Sequence, residues 1–145
     1  MIKLSVALIL MLTMPLAFAA NPPVFADSDG AIRGYDPVAY FTLGVATRGS
    51  DEFTTRWQGA TYKFSSAENL QHFEEQPEAY APQYGGYCAY AVSKGATAST
   101  EPEAWTIVDS KLYLNYNLGI RQRWRKDTAG NISAANQNWP AVLDR

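Results

Sequence analysis

The sequence predicts a small α+β domain in which an antiparallel sheet of two hairpins packs against helices. Two pairs of short runs rich in aromatic and β-branched residues are each interrupted by a two-residue turn: residues 52–57 with 60–64, and residues 105–108 with 111–116. This arrangement is typical of β-hairpins. Helix-capping residues and apolar residues at helical spacing follow both pairs. A chain of 145 residues is long enough for one domain with its own core.

The first 19 residues have the features of a secretory signal peptide. Lys3 supplies a positive charge, residues 4–16 are almost wholly apolar, and residues 17–19 form a small-x-small cleavage pattern. The apolar run is shorter than the roughly 20 residues that a membrane-spanning helix needs. We therefore expect cleavage near Ala19-Ala20, no stable membrane anchor, and a periplasmic or secreted protein.

The rest of the chain divides into two parts. Residues 20–34 contain prolines and aspartates and predict an extended N-terminal arm, and residues 35–145 predict a single domain. The domain opens with Asp36-Pro37, a pair that initiates turns. Asp36 is therefore interpreted as a turn cap in preference to a catalytic carboxylate.

The first hairpin is followed by a predicted helix over residues 66–75. Ser65 and Glu68 have the spacing of a capping box, and Pro77 marks the end of the helix. Helical spacing places three side chains on the core face: Ala67, Leu70 and Phe73.

Three later segments also predict helices. Residues 87–94 have a helix-compatible composition and end at Gly95, a favourable residue after a helix. Asn117 can cap a helix that runs to about Lys126, with an apolar face. The C-terminal tail is expected to pack a last helical segment on the domain. The second arm of the second hairpin, residues 111–116, alternates between apolar and polar side chains.

Several of these motifs, in this order, resemble the YHS domain family. The matching segments are YDPVAYF at residues 35–41, WQGATYKFSSAEN at 57–69, and Phe73 with PEAY at 77–80. The segment YGGYCA at residues 84–89 and the hairpin at 105–116 look like the longer, exported branch of that family. The resemblance implies a YHS-like domain over residues 35–145.

The resemblance also bears on metal binding, because some YHS proteins are thought to bind metal through cysteines. The corresponding positions here are occupied by Ala39, Ser65 and Asn69. None of these residues carries a thiol. The metal site of the family is therefore absent from this sequence.

Cys88, the only cysteine, is the leading candidate for a functional residue. A lone cysteine cannot form an intrachain disulfide, yet export would place it in an oxidising compartment. If Tyr87 opens a helix, the helix dipole should lower the pKa of the thiol below its ordinary value. Gly85-Gly86 would then leave space for a ligand beside the sulfur. The alternatives are an inert core cysteine and an intermolecular disulfide.

The remaining candidate binding residues are His72, Tyr84, Gly85, Gly86 and Tyr87. His72, the only histidine, either lies at the rim of the domain or joins Cys88 if its helix packs near the Gly-Gly turn. The tyrosines either belong to the core or wall a small apolar pocket.

Composition and motifs leave three hypotheses for function. The net charge of −2 argues against a nucleic-acid partner. The first hypothesis is a binding module that handles a soft metal such as copper through Cys88, which would need a homodimer to complete the ligand set. The second is a thiol-based redox or nucleophilic protein that uses Cys88. The third is a non-catalytic scaffold or interaction domain with a soluble partner or small ligand. No phosphate-binding or dinucleotide motif is present, which favours a role other than catalysis.

Overall fold

A computed structural model describes Pro15 and residues 21–145. The predicted signal peptide, apart from Pro15, and the predicted first mature residue Ala20 lie outside the described residues. The described chain has the mixed α+β structure that the sequence predicts. No helix in this part of the chain has the length and apolar character to cross a membrane.

Within the described residues, pairs of short strands alternate with groups of short helices. The strands are β1 (Ala26–Asp27), β2 (Gly30–Ala31), β3 (Ser50–Trp57), β4 (Ala60–Phe64), β5 (Trp105–Val108) and β6 (Lys111–Leu114). The α-helices are α1 (Ala39–Thr42), α2 (Ala67–Glu75), α3 (Pro77–Tyr80), α4 (Ala89–Ser93), α5 (Leu118–Arg125) and α6 (Thr128–Asn138). Short 3-10 turns cover Ile32–Gly34, Gln83–Gly86 and Ala141–Asp144.

Both predicted hairpins are present, β3 with β4 and β5 with β6. The prediction that they share one sheet is wrong, because within residues 21–145 each hairpin is a separate two-stranded sheet. The hairpins meet instead through side chains, since Leu112 and Leu114 of β6 lie in the same core cluster as Tyr62 and Phe64 of β4. Tyr113, between the two leucines, packs in a second cluster. Both faces of β6 are therefore covered, which explains why its burial does not alternate as predicted.

The core consists of two aromatic-rich clusters. The first lies between the β3–β4 hairpin, helix α2 and the N-terminal segment; its large members include Tyr40, Tyr62, Phe64, Phe73 and Leu114. The second lies between helices α4, α5 and α6; its members include Tyr84, Tyr87, Tyr113, Trp124 and Val142. Two clusters within one small domain create a junction at which side chains from both meet.

The segment predicted as an extended arm, residues 20–34, is integral to this core where it is described. Val24 is buried in the first cluster, and the adjacent Phe25 packs against the second. The chain then turns through the β1–β2 hairpin, which places Ala31 and Ile32 in the first cluster. Residues 24 and 25 therefore join the two clusters.

Helix α2 begins one residue later than predicted. Ser66, not Ser65, caps the helix by accepting a hydrogen bond from the Asn69 N–H at 3.1 Å. Phe73 is buried and Leu70 is partly buried against the first cluster, as predicted. Ala67 is exposed, contrary to the prediction, because the helix rests on the core at its second and third turns.

Asp36 is a turn cap, as the sequence predicts, and its side chain also reaches the first hairpin. Its Oδ1 accepts hydrogen bonds from the N–H groups of Val38 and Ala39 at 2.8 and 3.2 Å. Its Oδ2 accepts from the Ser65 N–H and hydroxyl at 2.8 and 2.7 Å, and from the Asn69 amide at 2.7 Å. Ser65 is therefore used to hold this carboxylate rather than to cap α2.

The C-terminal third follows the predicted pattern. Asn117 caps α5 by accepting a hydrogen bond from the Ile120 N–H at 2.8 Å. Trp124 is fully buried on the inner face of α5. The predicted last helical segment is α6, which Asp127 caps through the Gly130 N–H.

Phe73→Ala should lower the free energy of unfolding by about 3–5 kcal/mol. The Phe73 ring is 1 % exposed and lies 4.8 Å from the Tyr62 ring and 5.1 Å from the Phe64 ring, centroid to centroid. Its removal would leave a cavity at the centre of the first cluster. Urea unfolding followed by circular dichroism measures the change.

Gln71→Ala is the matched control for Phe73→Ala, because Gln71 lies on the exposed side of the same helix. It should change stability by less than about 0.5 kcal/mol. A loss below about 1 kcal/mol for Phe73→Ala would contradict the packing of α2 described above.

Candidate functional site

Cys88 lies immediately before α4, and its side chain is 1 % exposed. The thiol sits 3.5 Å from Asn115 Oδ1, to which it can donate a hydrogen bond. Its sulfur accepts a hydrogen bond from the Tyr116 N–H at 3.3 Å. The thiol is therefore enclosed and engaged as donor and acceptor by the chain segment that follows β6.

Burial raises the pKa of the Cys88 thiol above its ordinary value. The N–H groups of Ala91, Tyr116 and Tyr90 favour the thiolate, but they do not outweigh the loss of solvation. The prediction of a lowered pKa at a helix start is therefore wrong. Helix α4 is only five residues long, and its dipole is a small counterweight to burial of the charged form.

The N-terminal segment packs directly on Gly85, where the sequence predicted open space beside the sulfur. The Phe25 N–H donates to the Gly85 carbonyl at 2.9 Å. A Cβ on Gly85 would collide with the Pro23 carbonyl oxygen, so only glycine permits this approach. The Tyr87 hydroxyl donates to the Pro22 carbonyl at 2.8 Å and holds the same segment.

His72 lies on the outer side of α2 and does not share a partner with Cys88. Its side chain is 45 % exposed, with Nε2 3.5 Å from Glu68 Oε1, and its ring lies 6.4 Å from that of Tyr80. The hypothesis of a rim histidine fits this position better than a joint site with the thiol.

No group of three or more His, Cys, Asp or Glu side chains is placed to hold a metal ion anywhere in the described chain. Among the described residues, the thiol of Cys88 has no second soft ligand beside it, and a soft-metal site needs more than one such ligand. A homodimer could add ligands only if Cys88 left its enclosed position.

The structure does contain an open aromatic groove at the junction of the two core clusters. Trp57 and Ala81 of the first cluster form one wall, and Tyr84 and Trp139 of the second form the other. The remaining lining residues are Gln58, Glu78, Pro82, Gln83 and Gly85. The cavity volume is about 190 Å³, below the roughly 300–1,000 Å³ of sites for drug-sized ligands. The groove therefore suits a small molecule or a single chemical group.

The aromatic walls of the groove are rigidly held. The Trp57 ring makes edge contacts with Tyr62 and Phe73 at centroid distances of 6.1 and 5.9 Å. The Trp139 ring lies 6.0 Å from that of Tyr84. The Tyr84 hydroxyl donates to Asn136 Oδ1 at 2.9 Å, which fixes the orientation of the ring. Both indoles are partly exposed, so part of their apolar surface is available to a ligand.

Three polar side chains edge the groove and are free to bind a ligand. Within residues 21–145, Glu78 takes part in no ion pair. Gln58 and Gln83 make no side-chain hydrogen bond in the same range, and the turn beside Gln58 is closed by Arg56, whose guanidinium donates to the Gly59 carbonyl. The groove thus combines fixed aromatic surfaces with uncommitted polar groups, as small-ligand sites do.

Comparison with known proteins adds no further constraint. No protein-family model, curated protein or solved structure matches this chain. The YHS resemblance therefore stays a prediction from the sequence motifs.

The sequence located only part of this groove. Of the predicted binding residues, Tyr84 and Gly85 line it. Gly86, Tyr87, Cys88 and His72 do not line it. The two tryptophans were missed because residues far apart in the chain form the two walls. The signals available were a tryptophan placed directly before a tight turn and another before a proline.

Gly85→Ala should destabilise the protein by about 1–3 kcal/mol more than Gly44→Ala. Both glycines have positive φ, 61° and 67°, so the backbone penalty is the same for each. Only the Gly85 Cβ meets another atom, the Pro23 carbonyl oxygen, whereas nothing lies within 4 Å of a Cβ on Gly44. Chemical denaturation of both variants measures the difference. Equal losses would show that the N-terminal segment is not seated on Gly85 in solution.

The Cys88 thiol should react with an alkylating reagent at least about 100-fold more slowly in the folded protein than in denaturant, since reaction requires local opening.

Stability should also fall with rising pH. The folded pKa is raised, so the contribution of the neutral thiol is complete below the unfolded pKa of about 8.5 and is lost as pH rises through the folded pKa. Cys88→Ser should fold and lack this decline.

The informative window is about pH 8.5–9.5, below the ordinary tyrosine pKa of about 10. The urea midpoints of the wild-type protein and of Cys88→Ser are compared at several pH values in this window. The alkylation rate of the folded wild-type protein is measured at the same pH values. Rapid alkylation of folded protein at neutral pH would contradict an enclosed thiol.

Proposed function

We propose that this protein is an exported, non-catalytic binding module of the YHS type, and that its ligand site is the aromatic groove rather than Cys88. On this proposal the thiol is structural. The export part rests on the signal-like N-terminus, residues 1–19.

The observation that carries the proposal is the contrast between two candidate sites. Cys88 is 1 % exposed and hydrogen-bonded on both sides of its sulfur. The groove between Trp57 and Trp139 is open, rigid and edged by uncommitted polar groups. A ligand needs a surface that it can reach and polar groups that are not already hydrogen-bonded, and the groove offers both.

One arrangement supports the YHS assignment. Some members of the family are thought to bind metal through cysteines at the positions of Ala39, Ser65 and Asn69. All three residues contact the same carboxylate, that of Asp36. Ala39 makes this contact through its backbone N–H, and Ser65 and Asn69 make it through their side chains, so the three positions lie around one buried carboxylate.

The same burial weighs against the two hypotheses built on Cys88. Copper binding and nucleophilic attack both require a thiolate that a partner can reach. Here the pKa of the thiol is raised by burial. A soft-metal or redox role would require the chain around Asn115 to open first.

The proposal is tested by titrating the processed protein, labelled with ¹⁵N, against a panel of organic ammonium ions, neutral saccharides and small carboxylates. Copper(I) is titrated in parallel. The chain contains four tryptophans and so gives four indole signals, which Trp→Phe variants assign. We expect at least one class to shift the signals of Trp57 and Trp139.

Trp105 and Trp124 are internal controls, because neither lines the groove. Gln83→Ala should weaken binding, and Gln122→Ala on the exposed side of α5 should leave it unchanged. If copper(I) alone binds, and only when Cys88 is present, the proposal fails and the soft-metal hypothesis replaces it.

A further inference from the structure

We infer that the aromatic groove binds a small organic cation, an ammonium group that carries alkyl substituents. This inference rests on the proposed function, since it specifies the ligand class of the same site. It follows from the charge, the ring surfaces and the size of the groove.

The charge of the lining favours a cation. Glu78 is the only lining residue with a formal charge, and no Lys, Arg or His lines the groove. Arg56 is the nearest basic residue in sequence to Trp57. Its guanidinium is held by the β3–β4 turn, where it donates to Thr61 Oγ1 at 3.3 Å and to the Gly59 carbonyl at 2.8 Å. A cation in the groove would therefore meet one carboxylate and no lining cation.

The ring surfaces favour a cation as well. Trp57, Tyr84 and Trp139 line one small space. The two tryptophans are partly exposed there, and Tyr84 is 6 % exposed. The face of an aromatic ring is electron-rich and attracts a cation, most strongly for tryptophan. The Tyr84 and Trp139 rings lie 6.0 Å apart, centroid to centroid, and are inclined by 61° to each other. Rings at an angle can each offer a surface to a roughly spherical alkylammonium group.

The size of the groove and its polar edge narrow the class of organic cation that can bind. A volume of about 190 Å³ accommodates an ammonium group with methyl substituents rather than an extended chain. Gln58 and Gln83 can bind a hydroxyl or carboxyl group on the same molecule. An anion is disfavoured, because it would meet Glu78 and the negative ring faces without a compensating charge.

The test compares choline with its neutral isostere 3,3-dimethylbutan-1-ol, which has the same shape and no charge. Binding is measured by calorimetry and by the Trp57 and Trp139 indole signals of the processed protein. Choline should bind at least about tenfold more tightly than the isostere, because only the charged ligand gains the cation–π and carboxylate attractions.

Two variants test which groove residues attract the choline cation. Glu78→Gln should weaken choline binding about 3–10-fold and leave binding of the isostere unchanged. Glu52→Gln, at an exposed position on β3 outside the groove, is the matched control and should change the affinity less than twofold. Trp57→Phe should weaken choline binding by a similar factor to Glu78→Gln, since phenylalanine attracts cations less strongly. If Trp57→Phe does not fold, two comparisons still test whether the groove prefers a cation. These are choline against its isostere, and Glu78→Gln against Glu52→Gln.

The outcomes separate this inference from the proposed function. Equal affinity for choline and the isostere, or no effect of Glu78→Gln, would overturn the cation inference and leave the groove as a site for neutral ligands. If choline does not bind while a saccharide or a carboxylate shifts the groove signals, the cation inference is also overturned and the groove remains the ligand site. If no member of the panel shifts them, both proposals are overturned.

Discussion

The fold depends on one buried carboxylate. Asp36 is fully buried and accepts five hydrogen bonds, two from the start of α1 and three from Ser65 and Asn69. No ion pair in residues 21–145 includes it. A charge buried without a counterion is costly unless donors surround it. The end of β4, the first turns of α2 and the start of α1 must therefore all meet at this point. With β4 and α2 fixed in this way, Phe73 and Trp57 take their places in the first cluster.

A second constraint joins the two halves of the molecule. The N-terminal segment places Val24 in the first cluster and Phe25 against the second, and it lies directly on Gly85. This contact covers the Gly-Gly step that precedes Cys88. The clusters nevertheless do not merge along their whole boundary, and the gap that remains is the groove between Trp57 and Trp139. Packing at this junction thus seats the N-terminal segment on Gly85 and leaves the aromatic groove open.

Local features could be predicted where neighbouring residues decide them. Each hairpin needs only a tight turn between two apolar runs, and the cap at Asn117 depends on a hydrogen bond three residues away. The cap of α2 was misplaced because Ser65 and Ser66 are equivalent in local terms. The distant Asp36 engages Ser65 and leaves Ser66 to cap the helix. The pKa of Cys88 was misjudged for a similar reason, since its burial depends on Asn115 and Tyr116, which follow a strand far along the chain.

The sequence by itself determined the α+β class, the two hairpins, the position of α2 and its buried Phe73, because periodicity, turns and caps act over a few residues. The tertiary structure alone decided that the hairpins form separate sheets, that the lone thiol is enclosed, and that Trp57 and Trp139 face one groove. Each of these depends on residues that are remote in sequence and are brought together only by core packing. The accessibility of a thiol and the shape of a groove are properties of that packing, and no local pattern of residues encodes them.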